Sequence, residues 1–232
     1  MWDSGQTSMT ALAIGARSSD IPYAGTALSL NGSTYYWRIR FTDNRGTVGV
    51  WSSTANFTMN TAPSAPTSLL TEGVSNPTRV TDVTPEFSAI YNDPNGSDTA
   101  TKYDIDVNTN SSFTGTMVWS ASDIPMSAVS NGARTEDISY AGTTLTLNGT
   151  TYYWRIRFTD NYGTKGAWSS TANFRMNTPP NVPESLQTDG QINPTGITDT
   201  TPIFSALHTD PDTDNATHYQ IQVNTNSSFT GT

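Results

Sequence analysis

Apolar and polar side chains alternate without a break in two stretches of the chain. Tyr35-Tyr-Trp-Arg-Ile-Arg-Phe41 and Tyr152-Tyr-Trp-Arg-Ile-Arg-Phe158 each place Tyr, Trp, Ile and Phe on one side and Tyr, Arg, Arg on the other. A period of two sends one row of side chains into a core and the other towards water, which is the pattern of a β-strand. Aromatic and β-branched residues favour that reading. On a helix the same arginines would be scattered over every face. The pattern predicts a central strand present twice, with Tyr35, Trp37 and Ile39 in one core and Tyr152, Trp154 and Ile156 in the other. A second alternating run turns Tyr103, Ile105 and Val107 inwards and Asp104 and Asp106 outwards.

Further strands are predicted at Thr67–Glu72, Pro85–Tyr91, Thr101–Asn108, Thr116–Ala121, Thr143–Leu147, Thr151–Asp160 and Ala167–Met176. Turn residues separate them, so seven short strands point to a β-sandwich. The chain also repeats itself. Trp37, Trp51 and Phe57 recur 117 residues later as Trp154, Trp168 and Phe174, and Asp93-Pro94 recurs as Asp210-Pro211. One residue is lost after that loop, so Asn108 matches Asn224. Internal repetition of this kind outranks other signals in fixing architecture.

The repeat divides the chain into three parts. Residues 1–59 hold the C-terminal half of a unit, including short strands at Ala27–Leu30 and near Val50–Thr58. Residues 60–177 hold a complete unit, and residues 178–232 hold the N-terminal half of another, ending after its third strand. The segments 60–66 and 177–183 are proline-rich and read as short semi-rigid spacers. A half sandwich exposes a core face and an open strand edge. The expected partner is therefore another copy of the same unit, either because the chain is two periods of a longer tandem array, the favoured reading, or because neighbouring copies complete each other head to tail by strand complementation; both place Thr232 of one copy beside Met1 of the next.

Composition narrows the function. Charged residues are only 13% of the 232 and the net charge is −9, which argues against nucleic-acid binding. No apolar run is long enough for membrane insertion. Cysteine is absent, which removes disulfides, thiol catalysis and zinc-thiolate sites.

Leu147-Asn-Gly-Thr-Thr-Tyr-Tyr-Trp-Arg-Ile-Arg-Phe158 resembles the E–F region of fibronectin type III domains. Thr201-Pro-Ile-Phe-Ser-Ala206, Tyr219-Gln-Ile-Gln-Val223 and Ala167-Trp-Ser-Ser170 resemble other strands of the type III-like tandem repeats of large bacterial or archaeal cell-surface proteins. The resemblance implies an all-β fold of tandem seven-stranded immunoglobulin-like sandwiches, with Tyr152 and Tyr35 at the tyrosine-corner position and an extracellular, cell-surface location. Two features depart from it. Phe87 and Phe204 replace the usual strand-B tryptophan, and the segment around Ser122–Asp137 is additional. If the family strand order holds, Asp104 and Asp106 meet Arg155 and Arg157 in a charge ladder on an exposed sheet face.

Catalytic signals are lacking: no nucleophile elbow, phosphate loop or zinc-helix motif occurs, and His208 and His218 align with Tyr91 and Lys102. The loops Asp210-Pro-Asp-Thr-Asp214 and Asp93-Pro-Asn-Gly-Ser-Asp98 concentrate hard oxygen ligands. Asp210, Asp212, Asp214, Asp93 and Asp98 are thus the candidate calcium ligands, with ordinary metal-free turns as the competing explanation. No other cofactor is expected. Sequons for N-glycosylation stand at Asn31, Asn56, Asn95, Asn110, Asn148, Asn215 and Asn226; the Asn-Gly pairs at 31, 95 and 148 are equally turn dipeptides, and a Thr/Ser-rich chain yields sequons by chance. Tyr36 and Tyr153 offer rings to glycans. The expected function is a non-enzymatic structural repeat of an extracellular filament, stalk or adhesin shaft. The alternative is a glycan-binding or spacer module of a secreted carbohydrate-active enzyme.

Overall fold

The computed structural model describes residues 1–230, and every regular element among them is a β-strand. In chain order these are β1 (Thr34–Trp37), β2 (Ala55–Thr58), β3 (Thr67–Thr71), β4 (Glu86–Ile90), β5 (Thr99–Asn108) and β6 (Met117–Ser130). They continue as β7 (Ile138–Ser139), β8 (Thr151–Asp160), β9 (Ala172–Arg175), β10 (Glu184–Thr188) and β11 (Phe204–Leu207).

Strands β3 to β9 build one immunoglobulin-like sandwich from a three-stranded sheet, β3-β4-β7, and a four-stranded sheet, β6-β5-β8-β9. Alternation explains why these sheets face each other. Trp154 and Phe158 on β8 turn inwards and meet Phe87 on β4 and Tyr91 just after it, with ring centroids 4.8 and 5.8 Å apart. Phe174 and Trp119 close on Phe87 from β9 and β6. Ile105, Val107 and Ile156 fill the space between the aromatic rings and are fully buried, while Tyr103 packs half-buried at the margin.

The observed strands of the middle unit differ from the expected ones: β7 is additional, the last strand is Ala172–Arg175 instead of Ala167–Met176, and two further segments depart more widely. The segment around Ser122–Asp137 is mostly the continuation of β6, which reaches Ser130 through three irregular steps against β5. Asp123 marks one of these steps with φ at 56°, a left-handed conformation that Asp tolerates better than most residues. Conversely, Thr143–Leu147 forms no strand. That segment is held by single hydrogen bonds, Thr143 N to Val118 O and Leu145 N to Val83 O. It passes so close to β6 that a Cβ on Gly142 would lie 2.3 Å from the Val118 carbonyl oxygen. The corner tyrosine also differs. Tyr152 stacks on Phe174, whereas the hydroxyl that reaches backbone carbonyls, at Thr143 and Val118, belongs to Tyr140.

The terminal parts form two separate two-stranded sheets, β1-β2 and β10-β11. Residues 27–30 and 217–224 form no strand. Residues 27–30 match 144–147, which form no strand in the middle unit either; for 217–224 the reason is topological. The counterpart of 217–224 is β5, which is central and needs β6 and β8 on its flanks. Among the described residues no such strands flank 217–224. Side chains that are identical in the repeat therefore have opposite environments. Trp154 is completely buried while Trp37 is 52% exposed, and Phe87 is completely buried while Phe204 is 46% exposed. Tyr35 and Ile39 are half-buried, and Tyr35 stacks on Phe57 as Tyr152 does on Phe174. The expected neighbour contact at Thr232 lies outside the described residues.

The 60–66 linker docks onto the middle sandwich. Pro63 and Pro66 are buried, Ala167 N donates to Pro63 O, and Ser64 N donates to Asn92 O. Gly166 is required here, because a Cβ would meet Pro63 at 2.7 Å. The expected semi-rigid spacer at 60–66 is a strap held along one side of the fold.

Candidate functional site

Two polar constellations stand out on the middle sandwich. The first is the ladder between β5 and β8. The register opposes Asp104 to Arg157 and Asp106 to Arg155. Arg157 Nε donates to Asp104 Oδ2 at 2.8 Å, and Arg155 donates to Asp106 Oδ2 from Nε at 3.0 Å and Nη2 at 2.8 Å. Lys165 Nζ joins Asp104 to Asp123. Trp168 lies across both arginines, with guanidinium carbons 4.4 and 4.5 Å from its ring, and Phe113 adds a face to Arg155 at 4.2 Å. These cations and rings roof over the carboxylates, so the Asp104 side chain is only 1% exposed. The expected exposed ladder is a covered one. Burial pushes the Asp104 carboxyl up, but the Asp123 amide, Lys165 and Arg157 outweigh it and leave it below the usual range.

The first half carries the same arginine shelf without its acids. Arg38 and Arg40 both lie 4.5 Å over Trp51. The repeat puts Gln220 and Gln222 where Asp104 and Asp106 stand.

The second constellation is acidic. Asp93 follows β4, Asp98 precedes β5 and Asp160 ends β8, so the fold brings three distant carboxylates to one end of the sandwich. One oxygen from each lies within 4.8 Å of the others, and all three residues are buried. Asp160 is held by its own hairpin: Oδ1 accepts from Tyr162 N and Thr164 N, and Oδ2 accepts from Asn60 Nδ2 at 2.7 Å. Asp93 Oδ1 accepts from Asn95 N, and Asp93 Oδ2 accepts from the Tyr91 hydroxyl at 2.7 Å. Burial, then the Asp93 bond, pushes the Tyr91 phenol up. Asp98 Oδ2 has no hydrogen-bond partner, although Asp98 is only 5% exposed. Burial first, then the charges of Asp93 and Asp160, pushes the Asp98 carboxyl up.

Of the expected calcium ligands, the structure brings Asp93 and Asp98 together and adds Asp160. The signal for Asp160 was present, since its loop Asp160-Asn-Tyr-Gly163 repeats Asp43-Asn-Arg-Gly46. It reads as an ordinary hairpin turn because the contact with Asp93 is made only in three dimensions. The second loop is arranged differently. Asp212 binds Arg175 and the Thr178 amide, and Asp214 pairs with Arg79 at 3.0 Å. Asp210 accepts from the Asp212 amide in its own loop. The Arg175 hydrogen bond, opposed by burial and helped by the Thr178 amide, holds the Asp212 carboxyl below its usual range.

Among the sequons, Asn31, Asn56, Asn110, Asn148, Asn215 and Asn226 are exposed, while Asn95 is half-buried and accepts from Thr61 N. Tyr36 is well exposed and Tyr153 half-exposed. His218 is bonded to its neighbour Thr217, and His208 to the Asp214 carbonyl.

Comparison with known proteins gives a family match. The model described as "Rha78A-like, N-terminal immunoglobulin domain" matches residues 1–62 and 66–178. None of the curated proteins matches this chain. Similar solved structures include the Streptomyces avermitilis alpha-L-rhamnosidase complexed with L-rhamnose, at 21% identity and TM-score 0.41, over 49% of this chain and 10% of that one. The alpha-L-rhamnosidase from Dictyoglumus thermophilum matches at 19% identity and TM-score 0.41, over 61% of this chain and 16% of that one. The chain thus spans a small fraction of the length of either enzyme.

Proposed function

Because the chain belongs to the family of Rha78A-like, N-terminal immunoglobulin domains, we propose that it is a non-catalytic β-sandwich module of a secreted glycosidase of the rhamnosidase type. Its work in this reading is to space and orient the catalytic part. The family match over most of the chain is the observation that carries it. A docked linker supports it, since Pro63 against Gly166 limits how freely successive units pivot. The test is to incubate the purified chain with an aryl α-L-rhamnoside and to sequence the coding region on both sides. The expected results are no hydrolysis above the blank and a glycosidase catalytic domain in the same reading frame. Turnover, or an uninterrupted run of further sandwiches, overturns the reading.

One observation favours a second reading, in which copies also pair head to tail. Leu207, Tyr219, Ile221 and Val223 are exposed in the last part, as are Trp37, Phe41 and Phe57 in the first. Each matches a repeat position in the middle unit. Among those counterparts Ile105, Val107, Trp154, Phe158 and Phe174 are buried. The occupant that fits each open face is therefore the other half of a unit from a second copy, with Trp37 of one copy against Phe204 of the next. Light scattering across a concentration series is expected to show growing assemblies, and Phe204→Asp is expected to abolish them. A monomer at every concentration sinks this reading and leaves the first intact.

A further inference from the structure

The acidic cluster of the middle sandwich presents a problem in electrostatics. Asp93, Asp98 and Asp160 bring three carboxylates together under cover, and among the described residues no lysine, arginine or histidine forms an ion pair with any of them. Asp93 and Asp160 are already supplied with hydrogen-bond donors that fix their orientation. Those donors leave lone pairs free, since an ionised carboxylate accepts about four hydrogen bonds. Asp98 differs: its Oδ2 is buried and has nothing to bond to. A carboxylate oxygen taken out of water without a partner is costly, and a cation is the partner that three acids together call for.

The spacing suits such an ion. Oxygens bound to calcium at about 2.3–2.6 Å are at most roughly 5 Å apart across the ion. The three carboxylate oxygens lie within 4.8 Å of one another. The repeat supplies a second argument. Asp93, Asp98 and Asp160 correspond to Asp210, Asp214 and Asp43, so all three acids occur in both copies. Some neighbouring positions change, since Asn95 becomes Asp212, Lys102 becomes His218 and Asp104 becomes Gln220, while Pro94, Tyr103 and Asn161 are kept as Pro211, Tyr219 and Asn44. The triad persists although the loop between Asp93 and Asp98 loses a residue and the ladder loses both its acids.

From this geometry we infer that Asp93, Asp98 and Asp160 form a binding site for a hard divalent cation, calcium, where the linker meets the middle sandwich. Asp98 supplies the uncommitted oxygen, and Asp93 and Asp160 supply oxygens held in place by Tyr91, Asn95 and the 160–164 hairpin. The linker is part of the same network. Asn60 donates to Asp160 and Thr164, and Thr61 donates to Asn95. An ion bound here therefore fixes the angle at which the preceding unit leaves the sandwich. The inference stands on the cluster alone and does not depend on the glycosidase assignment.

The test uses the full chain, stripped with EDTA and titrated with calcium chloride in a calorimeter, with melting followed in parallel. Binding is expected with half-saturation at roughly 0.1–1 mM, the range of extracellular modules. Saturating calcium is expected to raise the melting temperature by about 5–15 °C. Asp98→Asn removes one like charge and breaks no hydrogen bond of Oδ2. In EDTA it is expected to melt at or above the wild-type temperature, and to bind calcium at least about tenfold more weakly. No heat and no melting shift in the wild-type chain overturns the site. So does Asp98→Asn responding to calcium as the wild type does. The wild-type titration decides even if the variant folds poorly.

Discussion

Trp154→Ala is expected to destabilise the middle sandwich by about 3–5 kcal/mol, the usual cost of emptying a core tryptophan site. Trp154 is completely buried and its ring lies 4.8 Å from that of Phe87. The cavity would open between the two sheets, among the fully buried Ile105, Val107 and Ile156. In thermal denaturation the midpoint is expected to fall by roughly 10–25 °C. Part of the loss is offset, because Trp154 Nε1 is a buried donor without a partner and the substitution removes it. The control is the same substitution at the repeat position. Trp37→Ala acts on a half-exposed ring of a two-stranded sheet and is expected to change the main transition by less than about 1 kcal/mol at low protein concentration. Equal effects at both positions would mean that the first half has a closed core of its own.

Asp104→Ala has the second largest expected effect. The substitution leaves the Asp123 amide without its acceptor and strands two cations, Arg157 and Lys165, that share the carboxylate. Removing one member of a buried pair costs about 3–5 kcal/mol, but both cations are about 30% exposed and can recover water. The expectation is therefore about 2–3 kcal/mol by urea denaturation at neutral pH. The pH dependence gives a separate handle. Asp104 is held below its unfolded value, so its contribution is fully present above the unfolded carboxyl range, near pH 4, and is lost as pH falls through the folded value. Wild type is thus expected to lose its advantage over Asp104→Ala progressively below about pH 4. A difference that stays constant from pH 7 to pH 2 would show that the carboxylate charge contributes nothing.

The fold was legible because its strongest signal is local. Alternation in Tyr152–Phe158 and in Tyr103–Val107 depends only on neighbouring residues, and both runs are strands with the expected inward rows. The same alternation misled at the ends. Tyr219, Ile221 and Val223 carry the strand pattern yet form no ladder, because strand formation also needs partners that a local pattern cannot supply. The length of β6 was missed for a related reason. Ser122–Ser130 lacks clean alternation, since its irregular steps and the left-handed Asp123 shift the inward face partway along. At the candidate site, Asp93 and Asp98 were visible as an oxygen-rich loop. Asp160 was hidden by its place at the end of a strand, far along the chain, where only sheet topology brings it across.

The duplicated heptapeptide also bears on how the chain reaches this state. During synthesis Tyr35–Phe41 emerges before the Asp104/Asp106 strand, and Tyr152–Phe158 emerges after it. Both present the same rings and the same guanidinium shelf, over Trp51 in one case and Trp168 in the other. Chemistry alone does not tell them apart, so the nascent acidic strand meets a decoy before its proper mate exists. Exchange between adjacent units is the characteristic hazard of tandem proteins. The proline strap cannot guard against it at that stage, because Gly166 emerges after Tyr152–Phe158 and Pro63 closes on it only once the proper mate is present.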